Sequence, residues 1–335
     1  MMRRHLHLAP IALLPLALAA CGGDDAEPAL SSTGPRDVTL VLDWTPNTNH
    51  GGIYLAEANG WYDDAGIDLE IIQPGDAGGL QAVATGNAEF AVSVQESLVP
   101  AQAQGLPVVS IAAIVQHNTS SLIALADTGI GGPADLPGHR YGGWGGPLER
   151  ALVDRLVTCA GGDPAGVEFV EVGNTDYRVG MESGAFDVVW VYDGWDKLRL
   201  EQAGVDTVTI PFVEHLDCIP DWYTPLLATS SELITGDPAL VEAFVDVTSR
   251  GYAAAIDDPS AAAGALLAAA PELDPELVRA SAEYLAGQFT ADAPRWGEQS
   301  HEVWERFASF LTDAGLLDAP LDDVTTLYTN DFLPD

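Results

Sequence analysis

The sequence predicts an α/β protein made of two strand-and-helix units followed by a helical C-terminal third. Short apolar, β-branched runs alternate with helical stretches from Val38 to about Ala126. After a glycine-rich break at 127–133 the same alternation resumes. Beyond Pro238 the strand signals stop, and helices start at Asp237-Pro238 and Asp274-Pro275, where Asp caps and Pro suits the first turn. A chain of 335 residues is also too long for one compact core, so two lobes are expected.

In chain order, Arg3-Arg4 precede an apolar run, Leu8 to Ala20, that ends in Leu18-Ala19-Ala20-Cys21-Gly22. That is the pattern of a secretory signal, too short to span a bilayer. The Cys placed directly after Leu-Ala-Ala resembles a bacterial lipoprotein signal, which implies cleavage before Cys21 and lipid on that residue. Residues 21–36 are polar and read as a flexible tether. The expected strands of the first unit are Val38–Leu42, Leu69–Ile72, Phe90–Val94 and Val108–Val115, with helices at Ile53–Asn59, Gly78–Thr85 and Leu98–Gln104. In the second unit the strands are Arg140–Gly142, Val167–Val172, Val188–Tyr192 and Val208–Pro211, with helices at Pro147–Cys159 and Tyr177–Ser183. Leu226–Ser230 leads into helices Pro238–Ile256, Ser260–Ala269, Pro275–Gln288 and His301–Ala314. No internal repeat is evident.

Charge narrows the partners. The 50 acidic residues outweigh 13 basic ones for a net charge of −37, a surface that repels nucleic acid and anionic headgroups. No His/Cys spacing suggests a metal site, and no cofactor is expected. With Cys21 assigned to lipid, Cys159 and Cys218 remain. Outside the cytoplasm they either pair or stay as buried thiols, and spacing does not decide between the two. A monomer is expected.

One stretch organises the chain. The run ending at Leu42 breaks into Asp43-Trp44-Thr45-Pro46-Asn47-Thr48-Asn49-His50, and Gly51-Gly52 then open a helix. A strand end, a polar-aromatic loop and a helix start form the place where open α/β sheets bind small molecules. With Ala56-x-x-x-Gly60-Trp61-Tyr62, Gly142-Gly143-Trp144-Gly145, Phe186-Asp187-Val188-Val189-Trp190, Asp221-Trp222-Tyr223-Thr224-Pro225 and Thr329-Asn330-Asp331-Phe332-Leu333-Pro334, this stretch resembles the SsuA/THI5-like (NMT1-like) substrate-binding proteins. Within that family it looks most like receptors for the pyrimidine precursor of thiamine. The resemblance covers nearly all of the chain after Pro35. It implies a bilobal periplasmic-binding-protein type II fold, two α/β lobes joined by two crossovers, with the helical C-terminal part on lobe one. Carried over, lobe one is 37–127 plus 227–335 and lobe two is 128–226. An ABC permease and its ATPase are the implied partners.

The candidate ligand residues follow the strand ends. Asp43, Trp44, Asn47 and His50 offer an acceptor, a flat apolar face, an amide and a titratable ring. His50 reads equally as a helix cap or core filler. Ser93 and Gln95 follow the third strand, while the neighbouring Glu96 reads first as a carboxylate favouring a helix N-terminus. Gln116 and Asn118 form either a wall or a solvated crossover. Trp144 and Gly145 lie in a glycine-rich loop before a helix, whose free N–H groups suit an anion or a ring nitrogen. That loop lacks the Lys and Ser/Thr of a nucleotide P-loop. Trp190, Tyr192 and Asp193 end a strand, but alternation puts Tyr192 and Asp193 on opposite faces unless a turn starts at Asp193. Trp190 and Trp195 read equally as packing. Asp221 and Tyr223 precede the return crossover.

Aromatic faces with carboxylates suit an aminopyrimidine, whose ring they hold and whose N–H groups they accept. Sulfonate, nitrate or riboflavin receptors are the alternatives within the resemblance. An anion would favour cations, and only Arg178 stands near a candidate loop. The family also includes a eukaryotic enzyme that makes the pyrimidine phosphate from a pyridoxal phosphate lysine and a nearby histidine of its own chain. The matching segment here, Phe90 to Leu98, holds neither, and Lys197, the only lysine, stands elsewhere. A receptor rather than an enzyme is expected.

Overall fold

The computed structural model describes residues 34–173 and 175–335; the signal, Cys21 and most of the tether lie outside the described residues. The described residues form ten strands: β1 Arg36–Val41, β2 Ile67–Ile72, β3 Phe90–Ser93, β4 Val108–Ala113, β5 Ser120–Leu125, β6 Arg140–Gly143, β7 Glu168–Glu171, β8 Val188–Tyr192, β9 Thr207–Pro211 and β10 Leu226–Ser230. They form two five-stranded sheets, ordered β2-β1-β3-β10-β4 and β7-β6-β8-β5-β9. The two orders are the same pattern, a repeat of topology with no counterpart in the residues.

Within each sheet one strand opposes the rest. β10 runs antiparallel to β3 and β4, and β5 antiparallel to β8 and β9. Each opposing strand is the first after the chain crosses between sheets. Ser120 at the start of β5 therefore sits opposite Tyr192 at the end of β8, and Leu226 at the start of β10 opposite Ser93 at the end of β3. The loops after the parallel strands and the starts of β5 and β10 thus gather at one edge of each sheet, where a ligand gap belongs.

This membership corrects the expected lobe boundary. β5 belongs to the second sheet, so the first crossing falls at 114–119 rather than 127–133. The glycine-rich segment only links β5 to β6. The crossing was hidden because Ile114 and Val115 are apolar and fully buried, and so extend the strand pattern of β4.

The C-terminal helices start as their Asp-Pro steps predict. Asp237 accepts from Leu240 N–H and Asp274 from Leu277 N–H. A third step, Asp258-Pro259, starts a helix one residue before the expected Ser260, with Asp258 accepting from Ala261 N–H. The helix Pro238–Asp257 buries Leu240, Val241, Phe244, Thr248, Gly251, Tyr252 and Ala255, the three-and-four spacing of one face. Phe244 stacks on Phe90 of β3 with ring centres 3.8 Å apart. It crosses the helix Gly51–Ala58 at two glycines. A Cβ on Gly251 would lie 2.2 Å from the Gly52 carbonyl oxygen, and one on Gly52 would lie 2.5 Å from the Tyr252 ring. Gly52, the second of the glycines that end the organising stretch, therefore serves a helix crossing.

The other face of the first sheet shares a core with the second sheet, centred on Trp222 of the return crossing. Trp222 is wholly buried, stacked on Phe307 at 5.4 Å and edge-on to Trp190 at 6.0 Å. Phe307 comes from the helix His301–Asp313, which buries Trp304, Phe307, Ala308 and Leu311. Cys159, ending the helix Pro147–Cys159, is disulfide-bonded to Cys218 in the return crossing, with Cα atoms 5.8 Å apart. Among the described residues no helix is long and apolar enough to cross a membrane.

Candidate functional site

A cavity of about 630 Å³ opens between the gathered loop edges of the two sheets, with Asp43, Trp44, Asn47 and Glu96 on one side and Trp144, Tyr177, Tyr192 and Asp196 on the other. Three aromatic rings stand unpacked in it: Trp44 is 60% exposed, Trp144 54% and Tyr192 38%, while most other large rings are buried. Trp44 lines it from the loop after β1, and Trp144 and Tyr192 line it from the second sheet. Flat apolar surface left open on both walls suits a planar guest held between rings.

The loop after β1 is folded by its own polar groups. Asn47 Oδ1 accepts from Asn49 N–H, and its Nδ2 donates to the Thr45 carbonyl. His50 Nδ1 accepts from Asn47 N–H, so the ring proton sits on Nε2 and is donated to Asp43 Oδ1 at 2.7 Å. Behind the loop, Tyr252 donates to the Asn49 carbonyl and Thr48 meets Ser281 hydroxyl to hydroxyl. These ties leave the second Asp43 oxygen and the Trp44 face for the cavity.

In the second lobe, Glu149 accepts from the N–H groups of Trp144 and Gly146. The glycine-rich loop is thus occupied by its own carboxylate and offers no anion cradle, which corrects the expectation drawn from its N–H groups. Gly145 adopts φ +78°, and a Cβ there would press on Glu171 at 3.0 Å. It shapes the turn that projects Trp144 and does not itself line the cavity. At the end of β8 a π-helical turn, Asp193–Lys197, swings Trp195 and Asp196 to the cavity beside Tyr192. Alternation without that turn would have put Trp195 on the face away from Tyr192.

Of the expected site residues, Asp43, Trp44, Asn47, Trp144 and Tyr192 share the cavity wall. The others are placed behind it. His50 has 0% exposure and holds Asp43. Gln95 Oε1 accepts from Tyr223 N–H, and the Tyr223 hydroxyl accepts from Ser300 N–H, so both brace the return crossing. Ser93 is buried at the end of β3, and Gln116 is buried with its backbone bonded to Gln288. Asn118 Oδ1 accepts from Ser120 N–H, and Asp221 accepts from Asn118 N–H and pairs with His117 at 2.6 Å. Trp190 packs in the core with Phe212 and Trp222. Asp193 is turned back beside Ser121, and burial raises its pKa.

Two wall residues, Glu96 and Trp195, read from sequence first as a helix-end carboxylate and as packing, and Thr119, Tyr177, Asp196, Arg199 and Thr224 are not among the sequence candidates. Arg178 is paired with Glu182 instead, so Arg199 is the cation at this cavity. It lies 3.5 Å from Asp176 and 3.8 Å from Asp196. With Asp43, Glu96, Asp176 and Asp196 against Arg199, the wall carries an acidic excess. Burial raises the Asp196 carboxyl, and Arg199 opposes that shift. Among the described residues no His/Cys/Asp/Glu group is arranged to hold a metal.

Two α/β lobes, crossed between twice and closing on one cavity, define a protein of the periplasmic-binding fold. More particularly, residues 47–262 match the model of the family described as NMT1/THI5 like, and the chain belongs to that family. A 4-amino-5-hydroxymethyl-2-methylpyrimidine phosphate synthase from Legionella pneumophila is 30% identical, over 92% of this chain and 95% of that protein. A formylaminopyrimidine-binding protein from Halalkalibacterium halodurans is 28% identical, over 91% and 93%. The periplasmic aliphatic sulphonate-binding protein SsuA from Escherichia coli superposes with a TM-score of 0.70 at 15% identity, covering 88% of this chain and 92% of that one, a likeness of fold alone.

Proposed function

We propose that this protein is the extracytoplasmic receptor of an ABC importer and binds an aminopyrimidine precursor of thiamine, of the hydroxymethylpyrimidine or formylaminopyrimidine type. The observation that carries the reading is the pair of open indole faces, Trp44 and Trp144, on opposite walls of a cavity rich in carboxylates. Rings sandwich a flat heterocycle, and carboxylates take the hydrogens of its amine. The ligand touches both lobes, so it favours the closed arrangement that a permease would recognise. The named relative from Halalkalibacterium halodurans supports the same ligand class.

A second reading, synthesis of the pyrimidine phosphate, has the relative from Legionella pneumophila in its favour. A pyridoxal Schiff base needs an amine, and the cavity wall of the described residues holds none: the chain's single lysine, Lys197, is not on it. The Cys159–Cys218 disulfide supports an oxidising compartment, as export through the N-terminal signal requires. Lipid on Cys21 would hold the receptor at the membrane surface.

Calorimetry against hydroxymethylpyrimidine, formylaminopyrimidine, thiamine, riboflavin and taurine tests the ligand class. Micromolar or tighter binding of a pyrimidine precursor supports the proposal; tight taurine or riboflavin binding with no pyrimidine response overturns it. Incubation with pyridoxal phosphate and iron, followed by a search for pyrimidine product, tests the enzyme reading. The intact mass of the membrane-extracted protein reads the state of Cys21.

A further inference from the structure

We propose that Glu96 is the specificity-determining residue of the cleft, meeting a ring nitrogen of the aminopyrimidine with one proton held between them. The inference rests on the aminopyrimidine reading and goes beyond it. Glu96 is the second residue of the helix Gln95–Ala103 and stands on the cavity wall with Asp43, Tyr192 and Thr224. Its Oε2 is shut off from solvent and has no hydrogen-bond partner. The Trp222 indole beside the carboxyl is likewise shut off and unpartnered, so the oxygen left to meet the cavity is the other one, Oε1. A protonated carboxyl donates through O–H and accepts through C=O. With Oε2 shut away, the O–H on the wall-side oxygen is what a pyrimidine ring nitrogen can accept.

The surroundings favour the protonated form. Burial pushes the Glu96 carboxyl up to about 7, and the charge of Asp43, from the loop after β1, adds to the rise. The backbone N–H of Glu96 opposes it, as does the Trp222 indole, which lies beside the carboxyl without full hydrogen-bond geometry. From β8 the neighbour is Tyr192, whose phenol is raised by burial and by Glu96 itself and stays neutral. From the return crossing the wall neighbour is the uncharged Thr224. The one guanidinium on the wall, Arg199, is engaged with Asp176 and Asp196. The group left to answer the wall-side oxygen of Glu96 is the ligand.

The proton count gives the test. Below pH 7 free Glu96 already holds the proton that the complex needs; above it, each complex must draw one from solution. Affinity for hydroxymethylpyrimidine or formylaminopyrimidine should therefore fall roughly 50-fold between pH 7 and 9. Calorimetry at pH 8.5 or so, in two buffers of different ionisation heat, should read close to one proton taken up per ligand. Glu96→Gln keeps a donor and an acceptor in nearly the same volume, so it should bind with a flat pH profile. Glu96→Ala should lose roughly tenfold or more at pH 6. Wild-type binding with a flat profile, or a Glu96→Gln variant that retains the slope, overturns the role of Glu96 and leaves the receptor reading standing. Wild-type protein that binds neither pyrimidine at any pH overturns that reading and this inference with it.

Discussion

His50 donates its Nε2–H to Asp43 across 2.7 Å from a ring that solvent does not reach. The pair converts a flexible carboxylate into a fixed acceptor at the cavity wall, one oxygen spent on the imidazole and the other left for a guest. His50→Ala should remove the orienting donor and leave a buried hole. Stability should drop by about 1–3 kcal/mol, and ligand affinity should fall although no ligand contact is deleted. Denaturant unfolding read beside calorimetry separates the two effects, and unchanged affinity would show that Asp43 needs no orienting.

The open indoles should behave in the opposite way. Trp44→Ala and Trp144→Ala remove rings that are more than half exposed, so stability should change by no more than about 0.5 kcal/mol. Each should weaken binding by about tenfold or more, because stacked area is lost only in the complex. Tryptophan fluorescence quenching by the ligand should shrink in each variant. Full quenching in both would place the ligand elsewhere.

The crossing of helices Gly51–Ala58 and Pro238–Asp257 leaves no room for a methyl group. Gly251→Ala would set a carbon 2.2 Å from the Gly52 carbonyl, so the helices must part. Overpacking of this kind costs about 1–3 kcal/mol or more, and a lowered unfolding midpoint with an unchanged slope is the expected signature. Because the organising loop is tied to Tyr252 on the same helix, binding should weaken as well.

His117 joins three segments, pairing with Asp221 of the return crossing and Asp292 after the helix Pro275–Ala286. The Asp221 partner pushes the imidazole up to about 9, above its unfolded value, so its stabilisation is complete at pH 6 and fades as pH rises through 9. Its edge meets solvent and Asp292 is mostly exposed, which trims the contribution to about 1 kcal/mol. His117→Gln should lose that stability at pH 6 and little at pH 10. A parallel offset at both pH values would assign the loss to packing.

The Cys159–Cys218 bridge closes a loop of 59 residues of sequence separation between the helix Pro147–Cys159 and the return crossing. Reduction, or the double Ser variant, should lower stability by about 2–4 kcal/mol, chiefly by freeing the unfolded chain. Unfolding with and without reductant measures it; identical midpoints would mean the thiols are not paired in solution.

Much of the architecture was legible in local pattern. Alternation marked nine of the ten strands, and Asp-Pro steps marked the C-terminal helices, because capping and periodicity act within a few residues. The strand that escaped, β5, follows a crossing whose Ile114 and Val115 are as apolar as the strand before them, and nothing local says that a strand has changed sheets. Trp44 and Trp144 were legible as wall residues because each ring stands among turn residues, and Tyr192 because it closes a strand at the loop edge of its sheet. Glu96 was passed over because its position in a first turn already accounts for an acidic residue.

By itself the sequence determined the strand-helix alternation, the helix starts, the acidic surface and the loop from Asp43 to His50, since each follows from neighbours in the chain. Only the tertiary structure decided which polar groups meet the cavity and which brace it. Gln95 and Asp221 turn inward to accept from backbone N–H groups of distant segments, His50 donates to Asp43 and Asn118 accepts from Ser120 N–H, whereas Glu96 and Asp196 are left facing the gap. The reason is that hydrogen-bond partners are assigned by proximity in space, and a polar residue looks the same in sequence whether its partner is the protein or a ligand.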